Sequence, residues 1–539
     1  MIDCQATTAA PQGHLLEIGW ARAGAATRNA YARLIALPSG QSIPPAVARL
    51  TGISERMVQD GVAADVAWRE LSDEAATLAR QPAPTVIHFA RFEQPFLRAL
   101  AGGEPPLDIV CTHDIARRLL PDLPRCGVRA LAGYFGRGVG TLRRSADHVE
   151  ATAFVWRELV RLLEDQGIAT WSALQQWLAL GRATRRTRRV RPMPRAVRLS
   201  APDAPGIYRM LRTSGDVLYV GKAASLRHRV NSHFRKQNGM HERTLEMLSQ
   251  ARGLSFDVTA SALEAALIEA DEIKQHRPPY NIALTIGDRA LWFAPPDLSG
   301  RSAQPSPRCP LGPFPSAGML DDFDALAGAD RRALGSGRWR PDAATFEAGY
   351  ARLCAMHAEL AGLKASTTTA RQDPGAHERL LRLGTRLWRE GRRDHDVDAD
   401  EETRAITTWT PELVQRSLEW LALRGALARR RAIWLTRLVD ASVVWTEPGS
   451  AGARLIVVEN GEVLLHDNVD AGAPPPIPPG YARPIGARRE AFTVARFDRL
   501  RVLSTELKRL VGAGAPVALR LGPGPPLANT RLASVLWWV

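Results

Sequence analysis

The five cysteines include no CxxC pair. Cys4, Cys111, Cys126, Cys309 and Cys354 are scattered through 539 residues, which argues against a structural zinc site and against a disulfide framework. No apolar run approaches the roughly 18 residues of a membrane span, and no charged-then-apolar leader opens the chain. A reducing, cytoplasmic setting without membrane contact is expected. Internal repeats are absent. Lysine is scarce as well: only five of the 71 basic residues are Lys. Codon bias in a GC-rich genome is therefore one source of the charge.

What is present is strongly basic. The formal charge is +15 and the isoelectric point about 10.3, so an acidic polymer is the natural partner. With 45% hydrophobic residues, the chain can build packed cores in three or four domains. Residues 1–170 alternate strand-like runs ("HLLEIGWARA", "AYARLIAL", "PTVIHFA") with helical ones, ending in the amphipathic "HVEATAFVWRELVRLLEDQ", and read as an α/β domain. Residues 171–198 are assigned to a linker. Its stretch Gly181–Arg198 holds eight arginines and two prolines without apolar period, a solvated tether or a phosphate-riding arm. Residues 199–290 read as a compact α+β module, 291–438 as a loop and helical region, and 439–539 as a small C-terminal α/β domain of unknown role. The acidic "RRDHDVDADEE" lacks the glycine and ligand spacing of a calcium loop and reads as a solvated loop.

The module carries the most specific residues. "PGIYRM" and "VLYVGKAASLRHRVNSHF" place Tyr208 and Tyr219 in successive strands, followed by Lys222 and an Arg-rich helix. Leu226, Val230 and Phe234 form that helix's buried stripe, setting Arg229 on its flank near His233 at i+4. Arg227 competes with Arg229 on spacing alone. A phenol is a poor base at neutral pH unless neighbouring cations lower its pKa. In "EAALIEADEIKQHRPPYN", Ser261 and Glu264 match a capping box. Leu263, Leu267, Ala270 and Ile273 form the apolar stripe. Glu269 lies about 140° from Glu264 around the helix, so the two do not readily share a metal. A single carboxylate suits Mg²⁺, which keeps its waters and shares phosphate oxygens.

These residues resemble the GIY-YIG nuclease module of the UvrC excinuclease subunit and the related Cho protein. The resemblance rests on Gly206-Ile207-Tyr208, Tyr219-Val220-Gly221, Lys222, Arg229 and the run from Glu264 to Asn281. It implies that Tyr208 is the general base, that Tyr219 supports the site, and that Lys222 and Arg229 bind the phosphate. It also implies that Glu269 holds one divalent metal, Mg²⁺ or Mn²⁺, and that Asn281 orders the site. His233 stands where such modules usually carry another tyrosine. The expected function is a metal-dependent endonuclease on double-stranded DNA in nucleotide excision repair, with UvrA and UvrB as partners.

"DCQATT", "LTGISERM", "HFARFEQPFL" and "RRSADHVEAT" resemble the DnaQ-type proofreading exonuclease, the epsilon subunit of DNA polymerase III, which implies an RNase H-like fold and a two-metal acidic site. Asp3 keeps the first acid. Gln5, Glu93, Arg143 and His148 stand where Glu, Asp, His and Asp are expected. Gln cannot supply a metal pair with charge and Arg cannot act as a base, so this domain is expected to be inactive. Only two residues precede Asp3, so the first strand is expected to be very short, its edge degraded or its start upstream. Two other functions are compatible with the chain, a noncatalytic DNA-binding adaptor and a 3′-to-5′ proofreading subunit. Tyr208, Arg229 and Glu269 favour the endonuclease over the first, and the altered acids argue against the second. "CPLGPFPS" resembles the segment after the module in such fusions, whereas the C-terminal segment shows no UvrB-binding or helix-hairpin-helix signature.

Overall fold

A computed structural model describes residues 1–22, 30–78, 84–180, 192–235, 240–282, 284, 290–327, 342–361, 375–391, 409–447, 452–484, 488 and 492–536. The chain divides into two compact units, residues 1–259 with 276–282, and 260–275 with 283–539. No described helix is long and apolar enough to cross a membrane. The acidic "RRDHDVDADEE" lies outside the described residues.

The first unit contains two sheets. Strands β1 (Ile2–Ala6), β2 (Leu15–Trp20), β3 (Tyr31–Leu34), β4 (Thr85–Ile87) and β5 (Ile109–Cys111) form one sheet in the order β3-β2-β1-β4-β5. The β1–β2 and β2–β3 pairs are antiparallel and the β1–β4 and β4–β5 pairs parallel. β1 is thus a five-residue central strand, not the degraded edge the sequence suggested. Its Ile2 and Cys4 are buried with Ile18 and Ile87, which is what a central strand requires. Helices α1 (Ala64–Leu78), α2 (Ala90–Ala101), α3 (Thr112–Leu119), α4 (Ser145–Glu164) and α5 (Trp171–Ala179) accompany it. α4 buries Val149, Ala153, Val155 and Leu159, a 3.6-residue stripe.

The proposed linker 171–198 is shorter than the sequence suggested. Its first part is α5, capped by the Thr170 hydroxyl accepting from Ala173 N at 3.2 Å, and residues 195–199 form another short helix. Trp171, Leu174 and Trp177 supply apolar anchors into the N-terminal core, a pattern masked by the arginines that follow.

The second sheet of this unit is β7-β6-β8, with β6 Gly206–Leu211, β7 Val217–Ala223 and β8 Gly253–Val258. Both pairings are antiparallel. Helices α6 (Leu226–Arg235) and α7 (Glu242–Gln250) join it. The two sheets are not merely tethered. Arg125 N donates to Ser249 Oγ at 2.9 Å, Arg125 pairs with Glu242, and the Arg252 guanidinium sits 4.1 Å over the Tyr134 ring.

The second unit begins with α8 (Ala262–His276), of which residues 262–275 belong here. Ser261 Oγ accepts from Glu264 N at 3.1 Å, and the Glu264 carboxylate accepts from Ala260 N at 2.7 Å. A short ribbon, β9 (Trp292–Ala294) with β10 (Leu311–Phe314), interrupts the stretch read from sequence as only loop and helix. Its Phe314 is fully buried. Helices α9 (Ala317–Ala327), α10 (Ala343–Met356), α11 (Ala376–Arg389) and α12 (Pro411–Leu438) form a bundle core.

The C-terminal sheet, in the order β13-β12-β11-β14, comprises β11 Ala441–Trp445, β12 Ala453–Glu459, β13 Glu462–Val469 and β14 Val517–Arg520. Every pairing is antiparallel, so the segment is α+β rather than α/β. It packs with α13 (Val494–Gly512) and α14 (Asn529–Leu536). Leu263 and Leu267 of α8 lie in this same core, with Trp434, Val443, Phe497 and Leu503. Lys274 pairs with Asp498 at 3.4 Å, and Arg499 grips Asp271 through two hydrogen bonds of 2.8 and 2.7 Å. Residue 290 is therefore not a packing boundary.

Candidate active site

The β6–β7 register builds the centre of the site. Tyr208 stands opposite Gly221, and Met210 opposite Tyr219. Residues two apart on one strand share a face, so the two tyrosines are diagonal neighbours, with ring centroids 6.0 Å apart. Gly221 is required by this approach. A Cβ there would stand 2.6 Å from Tyr208 Cζ and 2.7 Å from Tyr219 Cε1. Gly206 is required by β8, because a Cβ would stand 2.2 Å from the Asp257 carbonyl oxygen.

α6 adds the next two groups. Its buried face is Leu226, Val230 and Phe234. His233 lies 5.9 Å, ring to ring, from both tyrosines, and its Nε2 is 2.7 Å from the Tyr208 hydroxyl. Burial, aided by the Arg229 charge, pushes the His233 imidazole down to about 4, so it is neutral at pH 7 and one ring nitrogen can accept a proton. The Arg229 guanidinium is held above its usual range, first by its electrostatic interaction with Tyr208, against burial, and then by Tyr219 and hydrogen bonds to both phenols. Arg227 turns away, donating to the Ala201 carbonyl at 3.0 Å. The fold thereby separates the two arginines that spacing left equivalent.

Asn281 acts on the backbone between Tyr219 and Gly221. Its Oδ1 accepts from Val220 N at 3.0 Å and its Nδ2 donates to Val220 O at 2.9 Å. The side-chain amide thus occupies the place of a neighbouring strand. Tyr280 beside it donates to Glu246 at 2.6 Å and accepts from Gln250, which anchors the end of the motif and which the sequence reading missed. Lys222 faces Ile207 in the register, half-buried at the end of β7. Glu269 is half-buried on α8. Its hard carboxylate oxygen suits a magnesium-sized cation.

The degenerate exonuclease positions also converge, with one exception. Asp3 and Gln5 share a face of β1, and Gln5 Nε2 donates to Asp3 Oδ2 at 2.9 Å. His148 Nδ1 lies 3.5 Å from Asp3 Oδ1. Glu93, from the first turn of α2, is 3% exposed, and its Oε2 is buried without a hydrogen-bond partner. These four line a cavity of about 1570 Å³. Arg143 is exposed and outside that lining. Its neighbour Arg144 instead pairs with the buried Glu17, whose carboxylate also accepts from Ser145 N at 2.8 Å.

Burial pushes the Asp3 carboxyl up to about 6, opposed first by His148, and pushes Glu93 up as well, with Asp3 adding to it. Two histidines missed from the sequence complete the lining. His88 and His113 stand at the C-terminal ends of β4 and β5, with ring centroids 5.8 Å apart. The ends of parallel strands are where sites gather, and that was the available signal. Burial takes His88 down to about 3 and His113 down too. Two carboxyls, an amide and imidazoles do not fit a two-cation centre, which needs several acids.

A family model described as the UvrC-like GIY-YIG domain matches residues 204–282. A protein of Mycobacterium tuberculosis (strain CDC 1551 / Oshkosh) named as a bifunctional exonuclease/endonuclease is 32% identical over 332 residues, 59% of this chain and 49% of that protein. UvrABC system protein C of Psychrobacter sp. (strain PRwf-1) is 41% identical over 130 residues, 22% of this chain and 20% of its own length. Among solved structures, the GIY-YIG N-terminal endonuclease domain of UvrC from Thermotoga maritima, described as bound to magnesium, is 32% identical. It covers 17% of this chain and 100% of that chain, with a TM-score of 0.15. The chain thus spans about half of the first relative and a fifth of the second. Residues 204–282, which hold both tyrosines, Arg229, His233, Glu269 and Asn281, are a nuclease domain of the UvrC-like GIY-YIG family.

Proposed function

We propose that the protein is a metal-dependent endonuclease that cuts double-stranded DNA in nucleotide excision repair, in the cytoplasm and in concert with UvrA- and UvrB-like partners. The observation that carries this reading is the 2.7 Å contact between Tyr208 and a neutral His233, with Arg229 beside both phenols. A phenol with an ordinary pKa near 10 is too weakly ionised to activate water at pH 7. Hydrogen-bonded to a neutral imidazole, Tyr208 can pass its proton to His233 Nε2 while its oxygen takes one from the attacking water. Arg229, with Lys222, stabilises charge developing on the phosphate. Tyr219 fixes the ring of Tyr208, and Asn281 fixes the strand that carries Tyr219. Glu269 would hold one divalent cation, which supplies Lewis acidity at the phosphoryl oxygens.

The N-terminal domain we read as an RNase H-like exonuclease relic that helps retain DNA. The β3-β2-β1-β4-β5 order and the clustering of Asp3, Gln5, Glu93 and His148 support this ancestry, and the poor donor set supports inactivity. A noncatalytic adaptor would have no need of the Tyr208–His233–Arg229 arrangement.

The deciding assay incubates the protein with end-labelled damaged and undamaged duplex, with and without Mg²⁺, UvrA and UvrB. Internal incision that needs Mg²⁺ and is enhanced on damaged DNA is expected. Binding without incision under every condition supports the adaptor instead.

A further inference from the structure

The described part of the second unit holds a concentration of positive charge that the nuclease chemistry does not use. A groove of about 650 Å³ is lined by Arg389 from the end of α11 and by Arg429, Arg430 and Arg437 from α12, with no acidic residue among the described lining residues. Helical spacing builds it. Leu381, Thr385 and Arg389 recur every four residues along α11, and Ala426, Arg430 (beside Arg429), Ile433 and Arg437 form the facing stripe of α12. Ser534 of α14 adds a hydroxyl.

Several arginines elsewhere in this unit are matched to acids. Arg386 meets Glu359 and Glu390, and Arg499 meets Asp271 and Glu462. In the groove, Arg429 meets Glu378 at 3.2 Å, while neither Arg389 nor Arg437 forms an ion pair with a described acid. Burial and the charges of Arg389 and Arg429 depress the Arg430 pKa, as cations brought close together do.

We propose that this arginine-lined groove docks the phosphodiester backbone of duplex DNA, as a second contact apart from the nuclease domain. Arg429 and Arg437 are about 12 Å apart along the helix axis, a length over which one strand of duplex presents about three or four phosphates. A groove of this length exceeds what one small anion needs. An acidic peptide is disfavoured, because among the described lining residues Trp434 is buried and Ile433, 44% exposed, is the one strongly exposed apolar side chain. Such a contact grips the backbone without reading sequence. The inference rests on the DNA substrate of the reading above, but not on its chemistry.

The test uses the full chain and a fluorescein-labelled duplex, followed by anisotropy in EDTA across a salt series. Arg389→Gln with Arg437→Gln changes two exposed side chains. It is expected to weaken binding roughly tenfold and to lower the slope of log K against log salt by about 2, one per lost phosphate contact. Arg389→Lys with Arg437→Lys should restore the slope. An unchanged Kd and slope in the glutamine variant overturns the proposal. So does binding of inorganic phosphate below ~0.1 mM that the glutamine variant abolishes while its DNA slope stays at the parent value. If the nuclease reading itself fails, the parent is inert with Mg²⁺ yet still shows the salt slope in EDTA.

Discussion

Tyr208 is completely buried, and its hydroxyl meets the His233 imidazole. Tyr208→Phe keeps the ring and the packing while removing the proton-transfer oxygen, so single-turnover cleavage should slow by at least ~100-fold with the melting temperature little changed. Glu269→Ala should abolish Mg²⁺-dependent cleavage and leave DNA affinity intact, whereas Glu264→Ala should cost about 1 kcal/mol through the lost cap and still cleave. The reverse pattern would move the metal carboxylate to Glu264. His233 carries a pH signature. Its pKa falls from 6.5 to about 4 on folding, so between those values the unfolded chain binds more protons. Stability that is complete above about pH 6.5 is lost as pH falls toward 4, by at most about 3 kcal/mol. Asp3, raised to about 6, works in the opposite sense between about pH 4 and 6. In paired thermal scans at pH 7 and 4.5, His233→Gln should therefore shrink the difference shown by the parent. An equal difference in both proteins argues that the imidazole is not buried against Tyr208. The residues of this centre were legible in the sequence through the motif that resembles the GIY-YIG module, while strand alternation and helix period set their faces. The choice of Arg229 over Arg227 came from that resemblance and not from spacing, and the meeting of His233 with Tyr208 was not legible, since it depends on how α6 docks on the sheet.

At the scale of elements, α8 carries two obligations. One flank offers Glu269. The buried stripe, Leu263 and Leu267, lies in the C-terminal core, and Asp271 and Lys274 are tied to Arg499 and Asp498. The stripe itself was legible from its period. Its destination was not, because periodicity states that a face is buried and never against what. An isolated fragment of residues 199–290 leaves that stripe in water and should show a weakened or absent α8 by circular dichroism, with no metal-dependent cleavage. Within the full chain, Leu263→Ala should cost about 2–5 kcal/mol, measured by urea unfolding, because its site at 0% exposure cannot be refilled by solvent. A fully active, well-folded 199–290 fragment contradicts this assignment. The C-terminal segment reads from sequence as α/β, but its purely antiparallel order follows from which edges pair, and no local pattern encodes that.

Across the whole molecule, the GIY-YIG centre coexists with an N-terminal cavity of different prospects. The N-terminal cavity gathers Asp3, Gln5, Glu93 and His148, but both carboxyls are raised by burial, and Glu93 further by the charge of Asp3. With the endonuclease silenced by Tyr208→Phe, the full-length protein should digest no end-labelled strand from its 3′ end in Mg²⁺ or Mn²⁺. Processive digestion that disappears on Asp3→Ala would restore this centre to activity.

The tie between α8 and the C-terminal sheet also bears on descent. A segment whose boundaries follow the family match, 204–282, looks like a cassette that recombination could lift from one gene into another. Here the cassette would leave its leucines' partners behind, and a foreign cassette would arrive with a helix cut to a different mould. Exchange is tolerated only if the C-terminal segment travels with it, and the Arg125–Ser249 and Arg252–Tyr134 contacts hold the N-terminal domain to the cassette as well. Chimeras joined at residue 282 should then fail as soluble proteins where the parent chain succeeds.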